Sequence, residues 1–324
     1  MAQINKISYY LPSNNVAGFE TENNADIATK YASKRSVVSI DEVGSDLAFK
    51  AANILFNEYP NSDKASIDFL LYSTQGLDYF SPTTSSVLHH RLGLSEKCGI
   101  LDIPFGCAGF VYGLSVANAL IHAGNATTVL FLLGEIPSKA IHEDDLDFKL
   151  LFSDAGVACL IESDENQRIK NFVFGTDGKG FKNLNILRGG TRSPLDSDWI
   201  KTNPSLPNGR LAMNGLEILR FSLDKVPKLV NDILMKNAMQ FEEIDYFVFH
   251  HSSEVILTSL QRKCAIPKEK FINYFTEVGN SASCSIPIAL EKANEEGKFI
   301  PGNKIMLLGF GTGYAWAGTI IIWS

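Results

Sequence analysis

No stretch of this 324-residue chain is apolar for long enough to cross a bilayer. The longest apolar runs, such as Val129–Leu133, fall far short of the roughly 20 residues a spanning helix needs. The first residues, Met1-Ala2-Gln3-Ile4-Asn5-Lys6-Ile7, carry no apolar leader and no cleavage pattern, so a cytoplasmic chain that does not engage a membrane is expected. Cysteine is sparse and scattered. The five, at 98, 107, 159, 264 and 284, form no C-x-x-C pair, which argues against a structural zinc site and against a disulfide framework. An excess of positive charge is missing too. With 29 Lys+Arg against 36 Asp+Glu, the net charge of −7 argues against nucleic acid as the main partner.

Two familiar chemical motifs are also incomplete. Gly175-Thr176-Asp177-Gly178-Lys179-Gly180 is glycine-rich but lacks the G-K-[ST] ending of a phosphate loop, and reads as a hairpin turn. His142-Glu143 has no second His four residues on, so it is no zinc-protease helix. No metal and no resident cofactor is expected.

What is present is a large apolar fraction, 45%, and an internal echo. Ile67–Ser73 resembles Ile244–His250, Gly106-Cys107 parallels Gly279-Asn280, and Val129–Gly134 parallels Lys304–Gly309. Ser153–Ala158 parallels Gly311–Trp316. The four matches come in the same order at a spacing of about 175 residues. That period is too long for a solenoid and predicts a duplicated α/β domain, residues 1–166 and 167–324, joined near Asp164-Glu165-Asn166-Gln167. Amphipathic helices are predicted over Asp46–Tyr59 and Leu219–Lys236, and alternating strands and helices imply mixed sheets covered on both faces. The stretch Cys107–Ala123 has almost no charge on any face and is expected to be buried all round.

Cys107 ends an apolar strand-like run and opens that helix. Such a junction places a thiol where unpaired N–H groups and the helix dipole favour a thiolate. The echo sets Asn280 at the matching junction and His250 at a strand end, where α/β sheets commonly place sites. A thiolate beside an imidazole can attack an acyl carbonyl and hold a thioester. A neutral His Nε2–H and an Asn amide can steady a developing enolate. Gly311-Thr312-Gly313 offers a backbone amide for an oxyanion hole shared with the Cys107 amide. Asn280 can serve as a local cap at the same time. Cys98, Cys159, Cys264 and Cys284 read as core residues, and His89-His90 as exposed helix.

The chain resembles the 3-oxoacyl-[acyl-carrier-protein] synthase III family of thiolase-fold condensing enzymes. The resemblance is carried by Gly106-Cys107-Ala108-Gly109-Phe110-Val111-Tyr112, Phe247-Val248-Phe249-His250, Gly279-Asn280-Ser281-Ala282-Ser283 and Gly309–Trp316. Shorter echoes are Ser45-Asp46-Leu47-Ala48, Pro82-Thr83-Thr84 and Met213-Asn214-Gly215. It implies a thiolase-like αβαβα arrangement of five layers. It also implies a decarboxylative condensation in which Cys107 is acylated by a thioester primer, carried on coenzyme A or a carrier. His250 and Asn280 then hold the malonyl-carrier thioester, and the Cys107 and Thr312 amides form the oxyanion hole. An acyl-carrier protein partner is implied, with Arg262 and Lys263, and Lys268 and Lys270 beyond them, as its basic docking patch. A homodimer is implied as well, with Phe80-Ser81-Pro82-Thr83 reaching the partner's acyl pocket. The alternative is an acyltransferase passing the acyl group from Cys107 to an alcohol or amine. An inactive partner of a related catalytic chain is disfavoured by the intact Cys107, His250 and Asn280.

Three departures from the family pattern stand out. His251-Ser252-Ser253 replaces the usual Gln-Ala-Asn; a second imidazole there either retunes the pKa or hydrogen bonding of the first or, as period-two geometry favours, points to the opposite face of the strand end. Thr21–Arg35 has neither the tryptophan on which the coenzyme's adenine stacks nor a Thr-Gly-Ile. The usual Arg before the Phe-Gly-Asp turn is replaced by the acidic run His142–Lys149, which would repel the coenzyme's phosphates. These changes point to a carrier-bound primer or a specialised pathway.

Overall fold

The structure, a computed structural model, describes residues 1–17, 34–60, 63–202 and 209–324. The Thr21–Arg35 stretch singled out above therefore lies, as far as residue 33, outside the described residues. In chain order the strands are β1 (Ala2–Tyr10), β2 (Asn14–Ala17), β3 (Lys34–Val37), β4 (Phe69–Ser73), β5 (Gly99–Ile103), β6 (Thr128–Glu135) and β7 (Ala155–Ser163). They continue with β8 (Val173–Thr176), β9 (Leu184–Asn185), β10 (Ala212–Met213), β11 (Tyr246–Phe249), β12 (Phe271–Ile272), β13 (Lys304–Gly311) and β14 (Ala315–Ile322).

Two five-stranded sheets are written on one plan. The first runs β1-β7-β6-β4-β5 and the second β8-β14-β13-β11-β12. In each, three parallel strands (β5, β4, β6; β12, β11, β13) are followed by two antiparallel ones. The first sheet thus draws on residues 2–163 and the second on residues 173–322. β6, a continuous apolar run up to Gly134-Glu135, is buried along its whole length, as a strand covered on both faces must be.

Three apolar cores make the layers. Helices Gly44–Glu58 and Thr84–Leu92 cover the outer face of the first sheet through Ala48, Ala51, Leu55 and Leu88. Helix Gly215–Lys236 and helix Glu254–Lys263 cover the outer face of the second through Val226, Leu229, Ile233 and Leu257. Between the sheets lie helices Gly109–His122 and Ser285–Glu295, which share one core: Phe110, Leu114 and Ala117 beside Ile286, Ala289 and Ala293. The thiolase-like arrangement of helix, sheet, helix, sheet, helix follows.

Local chemistry sets the helix starts. The Asp46 carboxylate accepts the Val43 amide at 3.0 Å, and Asn214 caps its helix by accepting the Glu217 amide at 3.3 Å. Both sequence-predicted amphipathic helices therefore begin earlier than periodicity alone predicts. Two expectations need correction. Helix Gly109–His122 is buried around its first turns, but Ala119 and His122 near its end are exposed. Gly175–Gly180 is no hairpin turn: β8 runs into a 3₁₀ turn over Gly178–Lys182, and Gly175 lies under Trp316, whose ring a Cβ there would meet at 2.1 Å.

Candidate active site

Cys107 sits in the turn between β5 and helix Gly109–His122, two residues before the helix begins. Glycines hold it there from the second sheet. A Cβ on Gly309 would lie 2.7 Å from Ala108 Cα, and one on Gly311 would lie 2.7 Å from both Cβ and Sγ of Cys107. The end of β13 can press directly on the Cys107-Ala108 turn only because those two positions lack side chains. Gly109 does the same on the other side, where a Cβ would meet Ser73 Oγ at 2.6 Å. The close approach at Gly106 is made by the Gln75 side chain.

Cys107, His250 and Asn280 line one cavity of about 400 Å³. Its other walls are largely apolar: Phe148, Leu151, Phe152, Leu184, Met213, Ile218, Ile256 and Phe310. Asp147, Ser252 and Ser253 supply polar groups. An apolar cleft with a few convergent polar side chains is the usual form of a small-molecule site.

The electrostatics differ from the sequence expectation at one point. Cys107 is no standing thiolate: burial pushes its thiol up to about 11, against the opposing pull of the Thr312 amide and hydroxyl. Both Thr312 groups thus act on the thiol, the amide being the one that the sequence singled out.

His250 follows β11 and is buried; its Nδ1 lies 2.8 Å from Ser285 Oγ. Burial, and the neighbouring His251, hold it down at about 3, so the ring is neutral near pH 7. His251 is buried as well, and burial lowers it to about 4. Its Nε2 accepts the Tyr274 amide at 3.1 Å and its Nδ1 meets the Ser285 carbonyl at 3.3 Å, so its ring works on the protein's own framework and does not line the cavity.

Asn280 carries its amide between two backbone partners. Oδ1 accepts the Ala282 amide at 3.0 Å and Nδ2 donates to Ser252 O at 3.0 Å, which leaves the second Nδ2–H for the cavity. The local cap and the outward donor coexist. Its backbone is tied to the first half: Asn280 N donates to Leu151 O and Ser153 N donates to Asn280 O, each at 2.9 Å.

Arg262 and Lys263 lie on the exposed last turn of helix Glu254–Lys263, outside the cavity, and enter no ion pair among the described residues. Lys268 is exposed too, but Lys270 is spent on Ile244 O at 2.7 Å. Of the acidic run, Asp147 reaches the cavity wall, while Asp145 faces Arg210 at 3.5 Å.

Sequence reasoning missed Glu135. It ends β6, 2% exposed, and its carboxylate accepts Ser283 Oγ–H at 2.5 Å and the Gln75 amide at 3.3 Å. Burial raises it to about 8, and its charge acts on Cys107. The strand-end position that marked out His250 was a signal available for Glu135 as well.

The chain matches known proteins over nearly its whole length. Residues 101–178 match the model of 3-oxoacyl-[acyl-carrier-protein] synthase III, and residues 234–323 match that of its C-terminal part. The chain is 30% identical over 330 residues to beta-ketoacyl-[acyl-carrier-protein] synthase III 2 of Halalkalibacterium halodurans, covering 100% of this chain and 97% of that one. It is 32% identical over 296 residues to beta-ketoacyl-[acyl-carrier-protein] synthase III of Clostridium perfringens, covering 91% and 89%. A crystal structure of a 3-oxoacyl-(acyl-carrier-protein) synthase III superposes with a TM-score of 0.92 at 34% identity, over 99% of both chains.

Proposed function

Because this chain belongs to the 3-oxoacyl-[acyl-carrier-protein] synthase III family, we propose that it joins an acyl primer to a malonyl-carrier thioester, with loss of carbon dioxide, to give a 3-oxoacyl thioester. The observation that carries this reading is the convergence of Cys107, His250 and Asn280 on one apolar cavity.

Cys107 Sγ attacks the primer's thioester carbonyl, and the donor's thiol departs. The Cys107 and Thr312 amides stabilise the oxyanion, a type of interaction worth about 3–4 kcal/mol per donor. Malonyl-carrier protein then enters, and its thioester carbonyl sits between His250 and the free Nδ2–H of Asn280. As carbon dioxide leaves, the enolate attacks acyl-Cys107, and the Cys107 sulfur is released. Acyl transfer to an alcohol or amine would leave the inward Asn280 donor without a carbonyl to hold, which favours condensation over that alternative.

The donor, on this reading, is a carrier-bound thioester. Asp147 at the cavity wall supports that choice, being a poor neighbour for the phosphates of coenzyme A. The acidic carrier docks on Arg262 and Lys263. A second copy of the chain pairs along β5, the edge of the first sheet, where Ile100 and Leu101 are exposed beside Leu77, Tyr79 and the 87% exposed Phe80. A cytoplasmic setting fits the five cysteines, all free thiols. No described helix is long and apolar enough to cross a membrane.

The test is intact-mass analysis with acyl-carrier and acyl-coenzyme A donors, then malonyl-carrier protein. An adduct lost in Cys107→Ala, followed by carbon dioxide release and a 3-oxo product, is expected. An adduct that never consumes malonyl thioester would give the case to acyl transfer.

A further inference from the structure

Ser285 opens the second central helix and is 2% exposed. Three polar neighbours converge on its hydroxyl: His250 Nδ1 at 2.8 Å, the Ala282 carbonyl at 2.9 Å and the His251 amide at 3.3 Å. The carbonyl can only accept and the amide can only donate, while the hydroxyl has one proton and two lone pairs.

The count of protons decides the arrangement. If the hydroxyl proton pointed at His250, Ser285 Oγ and Ala282 O would face each other at 2.9 Å with no proton between them. If it points at Ala282 O, the lone pairs receive the His251 amide and a proton that His250 must itself carry on Nδ1. All three contacts are then hydrogen bonds. Leaving a buried polar contact unmade costs about 1–3 kcal/mol, enough to decide a tautomer.

We propose that Ser285 is the positioning residue that sets the tautomer of His250, holding it as Nδ1–H at rest so that Nε2, on the far side of the ring from Ser285, is left as a proton acceptor for the cavity that Cys107 also lines. The inference rests on the condensing reading of the site and adds a role to it. The thiol proton moves to Nε2 as the Cys107 Sγ–C bond forms and not before, because the buried ring is too weak a base to take it from the resting thiol. As the bond from the acyl carbon to the donor sulfur breaks, the same proton passes to that sulfur. Thiol and thioester become thioester and thiol, with no outside reagent. When a malonyl thioester carbonyl later occupies the cavity, Nδ1 gives up its proton to solvent and Nε2 takes one up, and the hydroxyl turns from Ala282 O to the bared Nδ1. The new bond from Nε2–H to the carbonyl offsets the Ala282 contact given up, and the ring becomes the donor that the condensation step uses. A hydroxyl can serve both arrangements because it rotates.

The histidine at 251 takes part by fixing this frame. Its Nε2 is committed to the Tyr274 amide, so its Nδ1 proton goes to the Ser285 carbonyl and its own amide to Ser285 Oγ. Ser285 is thereby held at both its carbonyl and its hydroxyl.

Histidine-selective ¹⁵N NMR of the ligand-free enzyme tests the proposal without any turnover, with the His250 signal assigned by its loss in His250→Gln. The expected result is predominantly Nδ1–H in the parent and a shift towards Nε2–H in Ser285→Ala. Acylation of Cys107 in that variant should slow by about 10²-fold, the scale of a lost general base. A parent enzyme that rests as Nε2–H would overturn the proposal, whatever the variant does. So would a Ser285→Ala protein with an unchanged tautomer. If the tautomer behaves as expected but no malonyl thioester is decarboxylated, the condensing reading fails while the role of Ser285 stands.

Discussion

Replacing Gly311 by Ala asks whether the second sheet really holds the nucleophile in place. The new methyl carbon would stand 2.7 Å from both Cβ and Sγ of Cys107, where non-bonded carbon contacts settle near 3.5–4.0 Å. Roughly 1 Å of separation must be found. β13 is hydrogen-bonded to β11 and β14 and cannot supply it cheaply, so the Cys107 side chain must move. Overpacking of this size costs about 1–3 kcal/mol. A displacement of about 1 Å at a reacting atom costs about 10²-fold in rate. The assay is the time course of Cys107 acylation by intact mass, run beside a thermal melt. We expect acylation to slow by about 10²-fold with a melting temperature lower by only a few degrees. Acylation at the parental rate in a folded Gly311→Ala protein would refute the contact and the claim built on it.

Three further outcomes are expected. His251 sits near 4 when folded against an ordinary 6.5, so the unfolded chain takes up its proton first as pH falls. That contribution to stability is present above pH 6.5 and is lost towards pH 4. Urea denaturation should show His251→Gln spared about 2 kcal/mol of the parent's loss between pH 7.5 and 5, and equal losses would contradict the burial argument. Glu135, raised to about 8 from 4.5, acts in the opposite sense: it costs stability as pH rises from 4.5 to 8. Glu135→Gln should therefore gain on the parent between pH 5.5 and 8.5, and a constant difference would show the carboxylate already ionised. Reversing Arg262 and Lys263 to Glu should raise KM for malonyl-carrier protein at least about tenfold, more at low salt, while leaving turnover of a small malonyl thioester intact. Equal loss on both acceptors would place those residues outside the docking surface.

Much of the fold was legible because duplication is redundant. The paired runs Ile67–Ser73 and Ile244–His250 each predict a strand, and their common spacing ties them to one plan, which β4 and β11 realise. The meeting of Cys107 and Asn280 at one cavity was legible for the same reason, since they stand at matched junctions. What escaped was whatever depends on contacts between distant segments. The thiol's rise to about 11 comes from burial that no local pattern reports, and it outweighs the helix-end argument for a thiolate. Ser285 is one serine among many until His250, His251 and Ala282 are brought around it. His251 shows a finer failure. Strand alternation turned its side chain away from the cavity, but gave no hint that its backbone amide would meet the same serine hydroxyl as the His250 ring.

Asn280 belongs to the second half by sequence and to the first by attachment. Its amide and carbonyl are clasped by Leu151 and Ser153, in a one-residue bridge alongside Phe152 just before β7 begins. Its side-chain amide is held from the other half, through Ser252 O two residues beyond His250. Asn280 therefore works as a rivet: its backbone fastens the segment before β7, and its amide fastens the strand end that carries the imidazole. A shift of either half would pull on the same residue.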